Sequence, residues 1–317
     1  MNNAFGIYHK ENNVARIISE NRAEYLLGFP DETISKFNKK KANKLFYVGD
    51  FVKYQAEGNE ITQLELFSRE TIISKSSNVT AKNYHFSDSE QVLATNIQQI
   101  FIFVPLDKNF ALSKIERYVL VFSQEKVELT IVLSKKDLYR DYHNLVKNIQ
   151  QLYPQINLLP ISVYDESSIE QLKGMLSPGK TGMFIGTSGA GKSTVLNLIQ
   201  DQYVAKVNDV KKDGKGKHTT TSSFVIFVPE MNYCIVDTPG FKGIDSNHSI
   251  DSNVLFDQIG QLALECKFRN CTHTSEPHCA VKAAVKDGIL EQEILDRYQY
   301  NVNKLELLSK RRPSWRL

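Results

Sequence analysis

The sequence predicts a multidomain α/β protein in three parts: a small N-terminal β-barrel, a mostly parallel sheet with helices on both faces, and a helical C-terminal part that holds a metal. Three observations predict it. Residues 1–80 carry short β-like runs at close spacing, the pattern of a small barrel or sandwich. Apolar strands then alternate with helical segments around one glycine loop, as in doubly wound sheets. Near the end, Cys266, Cys271, His273 and Cys279 form C-x4-C-x-H-x5-C, a set of the ligand types zinc prefers.

Composition sets the outer bounds. A chain of 317 residues exceeds one typical domain, so two or three compact units are expected. With 41% hydrophobic and 24% charged residues it reads as an ordinary globular protein. No apolar run approaches the roughly 20 residues that span a bilayer. Met1–Gly6 lacks the basic and apolar regions of a signal peptide. The expectation is a cytoplasmic protein with no membrane partner, its cysteines thiols or metal ligands rather than disulfides. A net charge of +3 names no partner, but Lys36, Lys39, Lys40, Lys41 and Lys44 cluster early and Lys310, Arg311, Arg312 and Arg316 late.

In chain order, the strand-like runs include Ala15–Ser19, Glu24–Gly28, Leu45–Tyr47, Asp50–Tyr54 and Glu60–Phe67. An OB-like barrel is the preferred reading, since such barrels often bind nucleic acid. The lysines from Lys39 to Lys44 suit RNA phosphates, and equally suit a solvated loop. Val48-Gly49-Asp50 reads as a turn entering a strand. Residues 81–90 are a polar linker, which sets expected limits of 1–80 for an RNA-binding barrel, 81–250 for the sheet domain and 251–317 for the metal domain with its basic tail.

In the middle part, Ile100–Val104, Leu129–Leu133, Leu158–Val163, Met183–Ile185, Phe224–Val228 and Tyr233–Val236 read as strands. Lys114–Phe122, Asp141–Tyr153 and Ser168–Leu176 read as helices, the second with Leu145, Val146, Ile149 and Leu152 on one face. Between strand and helix, Gly186-Thr187-Ser188-Gly189-Ala190-Gly191-Lys192-Ser193, followed by Thr194, fills G-x-x-x-x-G-K-[ST]. That is the context a P-loop needs. Its backbone N–H groups turn inward on phosphates at a helix N-terminus. Lys192 is placed to reach the β/γ-phosphates, and the Ser193 hydroxyl to bind Mg²⁺. The chain is expected to bind a nucleoside triphosphate.

Four further stretches name the base. Ser134-Lys135-Lys136-Asp137 resembles the [NT]-K-x-D signature of GTPases. Asp137 would accept hydrogen bonds from guanine N1 and N2, which adenine does not offer, and the stem of Lys135 would lie along the base. Ser134 stands where Asn is usual; it keeps a small polar group and loses an amide. Ser162-Val163 resembles the stretch whose backbone N–H meets guanine O6. Gly216–Thr221 supplies threonines, Thr220 among them, that can complete Mg²⁺ coordination and sense the γ-phosphate. Asp237-Thr238-Pro239-Gly240 is a D-x-x-G, with Asp237 behind Mg²⁺ and the Gly240 N–H on the γ-phosphate. The base-reading motif precedes the P-loop, so the order is that of a circularly permuted GTPase domain handling GTP and GDP.

Four ligands with no open position suit one closed, structural Zn²⁺ site. Cys234 lies in an apolar strand and reads as core. Glu291–Leu308 reads as a helix with Ile294, Tyr298, Val302, Leu305 and Leu308 on a rough stripe. The tail after Lys310 is basic with one Trp, suited to RNA by charge and stacking or to plain solvation.

The succession S-K-K-D, G-T-S-G-A-G-K-S-T, G-K-H-T-T-T, D-T-P-G-F and C-x4-C-T-H-x5-C resembles ribosome small subunit-dependent GTPase A, the RsgA/YjeQ family. Val48-Gly49-Asp50, Ala94-Thr95-Asn96-Ile97 and Glu276-Pro277-His278-Cys279 extend the resemblance over nearly the whole chain. It implies an OB fold, a permuted P-loop GTPase and a zinc domain. It implies binding to the 30S ribosomal subunit and 16S rRNA rather than DNA, a role late in subunit maturation, and GTP hydrolysis stimulated by the subunit. A monomer is expected. A glutamine after the D-x-x-G glycine often orients the attacking water; here Phe241 stands there, which leaves His218 as the candidate to position or deprotonate it. An ATP-dependent P-loop enzyme and an RNA-binding module with a structural nucleotide site are the competing readings.

Overall fold

The computed structural model describes residues 4–7, 13–58, 60–75, 91–123, 126–200, 223–237 and 252–310. They fall into two compact units, drawn from 1–74, 91–110 and 125–242 for the first and from 75–90, 111–124 and 243–317 for the second.

The first unit opens with five antiparallel strands: β1 (Val14–Glu20), β2 (Glu24–Gly28), β3 (Ile34–Asn38), β4 (Phe51–Glu57) and β5 (Glu60–Leu66). Their order is β3-β2-β1-β4-β5. Ile17, Tyr25, Leu27, Phe37, Phe46 and Leu64 fill the core between them. Two expectations fail here. Leu45–Tyr47 is an irregular loop, not a strand, because the Tyr47 N–H turns onto Asp50 Oδ2 at 2.8 Å instead of joining a ladder. Ile34–Asn38 is a strand that its polar composition hides: Phe37 alone is buried.

A second set of strands follows. β6 (Ile72–Lys75) and β7 (Gln91–Thr95) pair with each other. β8 (Gln99–Pro105), β9 (Glu128–Ser134), β10 (Asn157–Pro160), β11 (Thr181–Gly186), β12 (Phe224–Val228) and β13 (Tyr233–Asp237) lie in the order β10-β9-β8-β11-β13-β12. All pairs but β12–β13 are parallel. β11 is buried along its length and β8 from Gln99 to Val104, as expected of parallel strands covered on both faces. Phe101 and Phe103 of β8 meet the Phe184 ring of β11 at centroid distances of 5.5 and 5.1 Å.

β12 meets β1 at Ser19↔Phe224, so β1–β5 and β8–β13 make one 11-stranded sheet, with β6 and β7 a separate pair. Arg16 of β1 is fully buried at this junction. Its guanidinium donates to the carbonyls of Gly49 (3.2 Å) and Phe5 (2.9 Å) and to Thr181 Oγ1 (2.9 Å), and it lies 4.7 Å from the Phe51 ring. A charge at that depth is tolerable only when it is so bonded.

The helices are α1 (Leu112–Phe122), which belongs to the second unit, then α2 (Tyr142–Leu152), α3 (Glu166–Met175) and α4 (Lys192–Gln200) in the first. The expected apolar face of α2 is only partly used: Ile149 is buried, while Leu152 is 42% exposed. The strand expected over Leu158–Val163 stops at Pro160, and residues 161–165 turn, with the Asp165 N–H on the Ser162 carbonyl.

The second unit adds α5 (Asn253–Ala263), α6 (Ala280–Lys286) and α7 (Gln292–Lys310). Phe256, Ile259, Val281, Ala284, Leu290 and Leu295 are buried there, as are Ile115 and residues 118–122 of α1, and the Phe256 and Tyr298 rings meet edge to face at 5.6 Å. Of the stripe expected on α7, Ile294, Tyr298 and Val302 are half-buried beside the buried Leu295 and Asn301, and the side chains of Leu305 and Leu308 lie outside the described residues. Among the described residues no helix is long and apolar enough to cross a membrane.

Candidate functional site

Strands β9, β10, β11 and β13 all deliver their carboxyl ends to one edge of the sheet, where ligands of open α/β sheets collect. β9 ends at Ser134, β11 runs into the glycine loop at Gly186, and β13 ends at Asp237.

The glycine loop is shaped by its own backbone. Gly186 lies so close to β8 that a Cβ there would come 2.5 Å from the Phe103 carbonyl oxygen. Gly189 and Gly191 have φ of 76° and 92°, the left-handed region where a side chain is strained. Lys192 opens α4 and folds back over the loop, its Nζ donating to the carbonyls of Gly186 (2.7 Å) and Thr187 (3.2 Å). Burial pulls its pKa below the usual lysine range, and the Asp237 carboxylate works against that.

The base-reading loop lies against this one. The buried Ser134 hydroxyl donates to the Ala190 carbonyl at 2.7 Å. The Lys136 N–H reaches the Ile161 carbonyl at 3.1 Å, which fastens the loop after β9 to the one after β10. The Ser162 hydroxyl donates to Asp137 Oδ1 at 2.6 Å and fixes the carboxylate's orientation. Lys135 takes a left-handed conformation with φ of 60°. Lys136, a spacer in the motif, pairs with Asp165 at 2.7 Å. Asp165 caps α3 by accepting from the Ser167 N–H, and the lysine and two serine hydroxyls hold its carboxyl well below the usual range. The sequence carried a signal for this cap, an Asp directly before Glu166-Ser167-Ser168, which reading for chemistry passes over.

The structure thus brings Ser134, Lys135, Asp137, Ser162, Val163, Gly186–Thr194 and Asp237 to one edge. His218, Thr220 and Gly240 lie outside the described residues, as do Phe241 and the tail after Lys310.

In the second unit the ligand atoms of Cys266, Cys271, His273 and Cys279 all lie within 4.8 Å of one another. Cys266 Sγ is 3.6 Å from His273 Nδ1 and 3.9 Å from Cys279 Sγ, and the last two atoms are 3.4 Å apart. Tetrahedral zinc with sulfur at about 2.3 Å needs such edges, of about 3.8 Å, so the donor set fits the ion. Cys279 also caps α6, its sulfur accepting from the Lys282 N–H, and Gln299 of α7 donates to the His273 carbonyl at 2.6 Å. Glu276 organises the loop between the ligands: its carboxylate accepts from the N–H groups of Thr272, Thr274 and Ser275 and from the Thr272 hydroxyl. Those bonds lower its pKa to about 2. None of the described cysteines is in a disulfide.

The sequence signature of the family described as RsgA GTPase matches residues 67–247, more than half of the chain. The chain belongs to the RsgA GTPase family. A member from Methanosarcina acetivorans, named small ribosomal subunit biogenesis GTPase RsgA, is 33% identical over 268 residues, covering 83% of this chain and 71% of its own. The RsgA-family chain also shares its fold with two solved structures. YloQ, described as a circularly permuted GTPase, gives a TM-score of 0.61 at 22% identity over 98% of this chain and 99% of its own. YjeQ from Thermotoga maritima gives 0.62 at 23%, over 95% and 99%. The fold is that of a circularly permuted GTPase, with a mixed sheet and helices, and the permutation read from the motif order is borne out.

Proposed function

We propose that this chain binds GTP at the carboxyl-end loops, hydrolyses it, and does so on the small ribosomal subunit, assisting late maturation of that particle. The names its relatives carry support the ribosomal part. The observation that carries the site is the bond from Ser134 to Ala190, because it joins the two halves a single guanine nucleotide must bridge. Asp137 reads guanine N1 and N2, the Val163 N–H meets O6, and the stem of Lys135 lies along the base. Gly186–Thr194 cradle the phosphates, and Lys192 exchanges the Gly186 and Thr187 carbonyls for the β/γ-phosphate oxygens. Ser193, Asp237 and Thr220 would hold Mg²⁺, which neutralises phosphate charge. The Gly240 N–H contacts the γ-phosphate. His218 positions the attacking water in place of the glutamine that Phe241 displaces.

Residues 1–80 act as an OB-like RNA-binding barrel, a reading supported by the five-strand order and the lysines around Lys39–Lys44. Residues 81–250 form the GTPase domain, and 251–317 a domain pinned by zinc on Cys266, Cys271, His273 and Cys279. The protein works as a cytoplasmic monomer on 16S rRNA, without DNA or a membrane.

The deciding experiment is GTP turnover with and without 30S subunits. Stimulation is expected, and abolished turnover in Lys192→Ala. A rate indifferent to the subunit would overturn the ribosomal part. ATP turned over as readily as GTP would overturn the assignment of Asp137. For His218→Ala, loss of stimulated turnover with normal GTP binding is expected, and unchanged turnover removes its role.

A further inference from the structure

Tyr164 is the most exposed large hydrophobic side chain among the described residues, at 87%, yet it stands in a tightly fixed loop. It belongs to the turn closed by the Asp165 N–H on the Ser162 carbonyl at 3.2 Å. Its own N–H donates to Ser162 Oγ at 3.2 Å, the same hydroxyl that donates to Asp137 at 2.6 Å. On the other side Asp165 is locked by Lys136 and by its cap on α3. Val163, the other central residue of the turn, packs against the main core. One neighbour is therefore spent on the fold and the other is held in water. A ring so exposed adds little to the core. On a backbone this rigid, next to the group that orients Asp137, it is a preformed flat surface for a ligand.

We propose that Tyr164 stacks on the face of the purine whose edge Asp137 holds, setting nucleotide affinity and residence time without choosing between bases. The proposal rests on the guanine-pocket reading above. Edge and face divide the labour: hydrogen bonds to Asp137 distinguish guanine from adenine, whereas every base offers a π-face to an aromatic ring. Lys135, whose left-handed turn opens the loop leading to Asp137, supplies an aliphatic stem for the opposite face.

The test measures GDP and ADP affinity by calorimetry, and GDP release by stopped flow, on the full zinc-loaded chain with Tyr164→Ala, Tyr164→Phe and Asp137→Ala. Tyr164→Ala is expected to weaken both nucleotides about tenfold, the usual size of a lost base–aromatic stack, with faster release and an unchanged preference for GDP. Tyr164→Phe, which keeps the ring, should bind like the parent. Asp137→Ala should erase the preference. If Asp137→Ala binds GDP normally, the pocket reading itself fails. If Asp137→Ala is impaired while Tyr164→Ala binds normally, only the stacking fails. Normal binding by Tyr164→Ala with lost 30S stimulation would likewise overturn it, assigning the ring to the subunit.

Discussion

Arg69 grips Asp50 through two parallel bonds, Nε to Oδ1 at 2.7 Å and Nη2 to Oδ2 at 2.8 Å. The carboxylate is wholly buried and takes two more donors, the Thr95 hydroxyl at 2.7 Å and the Tyr47 N–H at 2.8 Å. Next to it the Gly49 carbonyl accepts from Asn96 Nδ2 at 3.0 Å. Val48-Gly49-Asp50 and Ala94-Thr95-Asn96, far apart in sequence, are thus one joint between the N-terminal strands and the nucleotide sheet. Removing one partner of a buried pair leaves the other uncompensated, at a cost of ~3–5 kcal/mol. Asp50→Ala should lose about that much in urea unfolding, and Asp50→Asn, which keeps one acceptor oxygen, less. A stability equal to the parent would show that the joint carries no load.

Ser134→Ala tests the tie between the base loop and the phosphate loop. The hydroxyl is buried and donates to the Ala190 carbonyl, so a stability loss of ~1 kcal/mol is expected. The functional consequence is separate: GDP and GTP affinity should fall together, severalfold, because a looser base loop no longer presents Asp137 at a fixed distance from the phosphates. Ser134→Asn should bind at least as well as the parent if the amide can reach the same carbonyl. Fluorescence titration with a labelled GDP reads all three proteins, and parent-like affinity in Ser134→Ala would mean the loop holds itself.

Thiol chemistry separates the four cysteines. Cys234 is buried in β13, and burial raises its pKa to about 11 against the pull of the Arg16 charge. The thiolate is the reactive form, so at neutral pH this residue is inert while the strand stays paired. With Ellman's reagent the zinc-loaded protein should react slowly. A strong chelator should release Cys266, Cys271 and Cys279, and Cys234 should appear only after denaturant. Prompt native reaction at Cys234, located by peptide mapping, would contradict the buried environment.

Much of this was legible in the sequence because it is written in short motifs. The glycine loop, the cysteine cluster and the parallel strands depend on local spacing, though β10 stops at Pro160, short of its expected end. What stayed hidden depends on partners distant in sequence. Nothing local says that Lys136 pairs with Asp165 across 29 residues, or that the Ser162 hydroxyl turns to Asp137. Arg16 looks like a polar interruption in a strand until Thr181 and the Phe5 carbonyl close around it. The β3 strand was missed because hydrogen bonds to β2, rather than an apolar pattern, hold it. On α7 the buried Asn301 is polar, so an apolar stripe does not point to it.

Asn301 is buried because Glu116 is. The carboxylate of Glu116 is fully buried within the apolar run Ile115–Phe122 of α1. It accepts from Asn301 Nδ2 of α7 at 2.6 Å, with Arg297 Nε 3.6 Å from its other oxygen. Residues 185 positions apart in sequence are thereby fixed together, and the helix that follows β8 in the chain is fastened to α7, the last helix described. A buried charge costs several kcal/mol unless such donors meet it, so neither helix keeps its packing without the other's polar group. Glu116→Gln and Asn301→Ala should each destabilise the protein, and the double mutant should lose less than the two losses combined. The coupling expected for groups in direct contact is ~0.5–3 kcal/mol. Urea unfolding followed by circular dichroism measures it; strictly additive losses would mean the two side chains are stabilised independently.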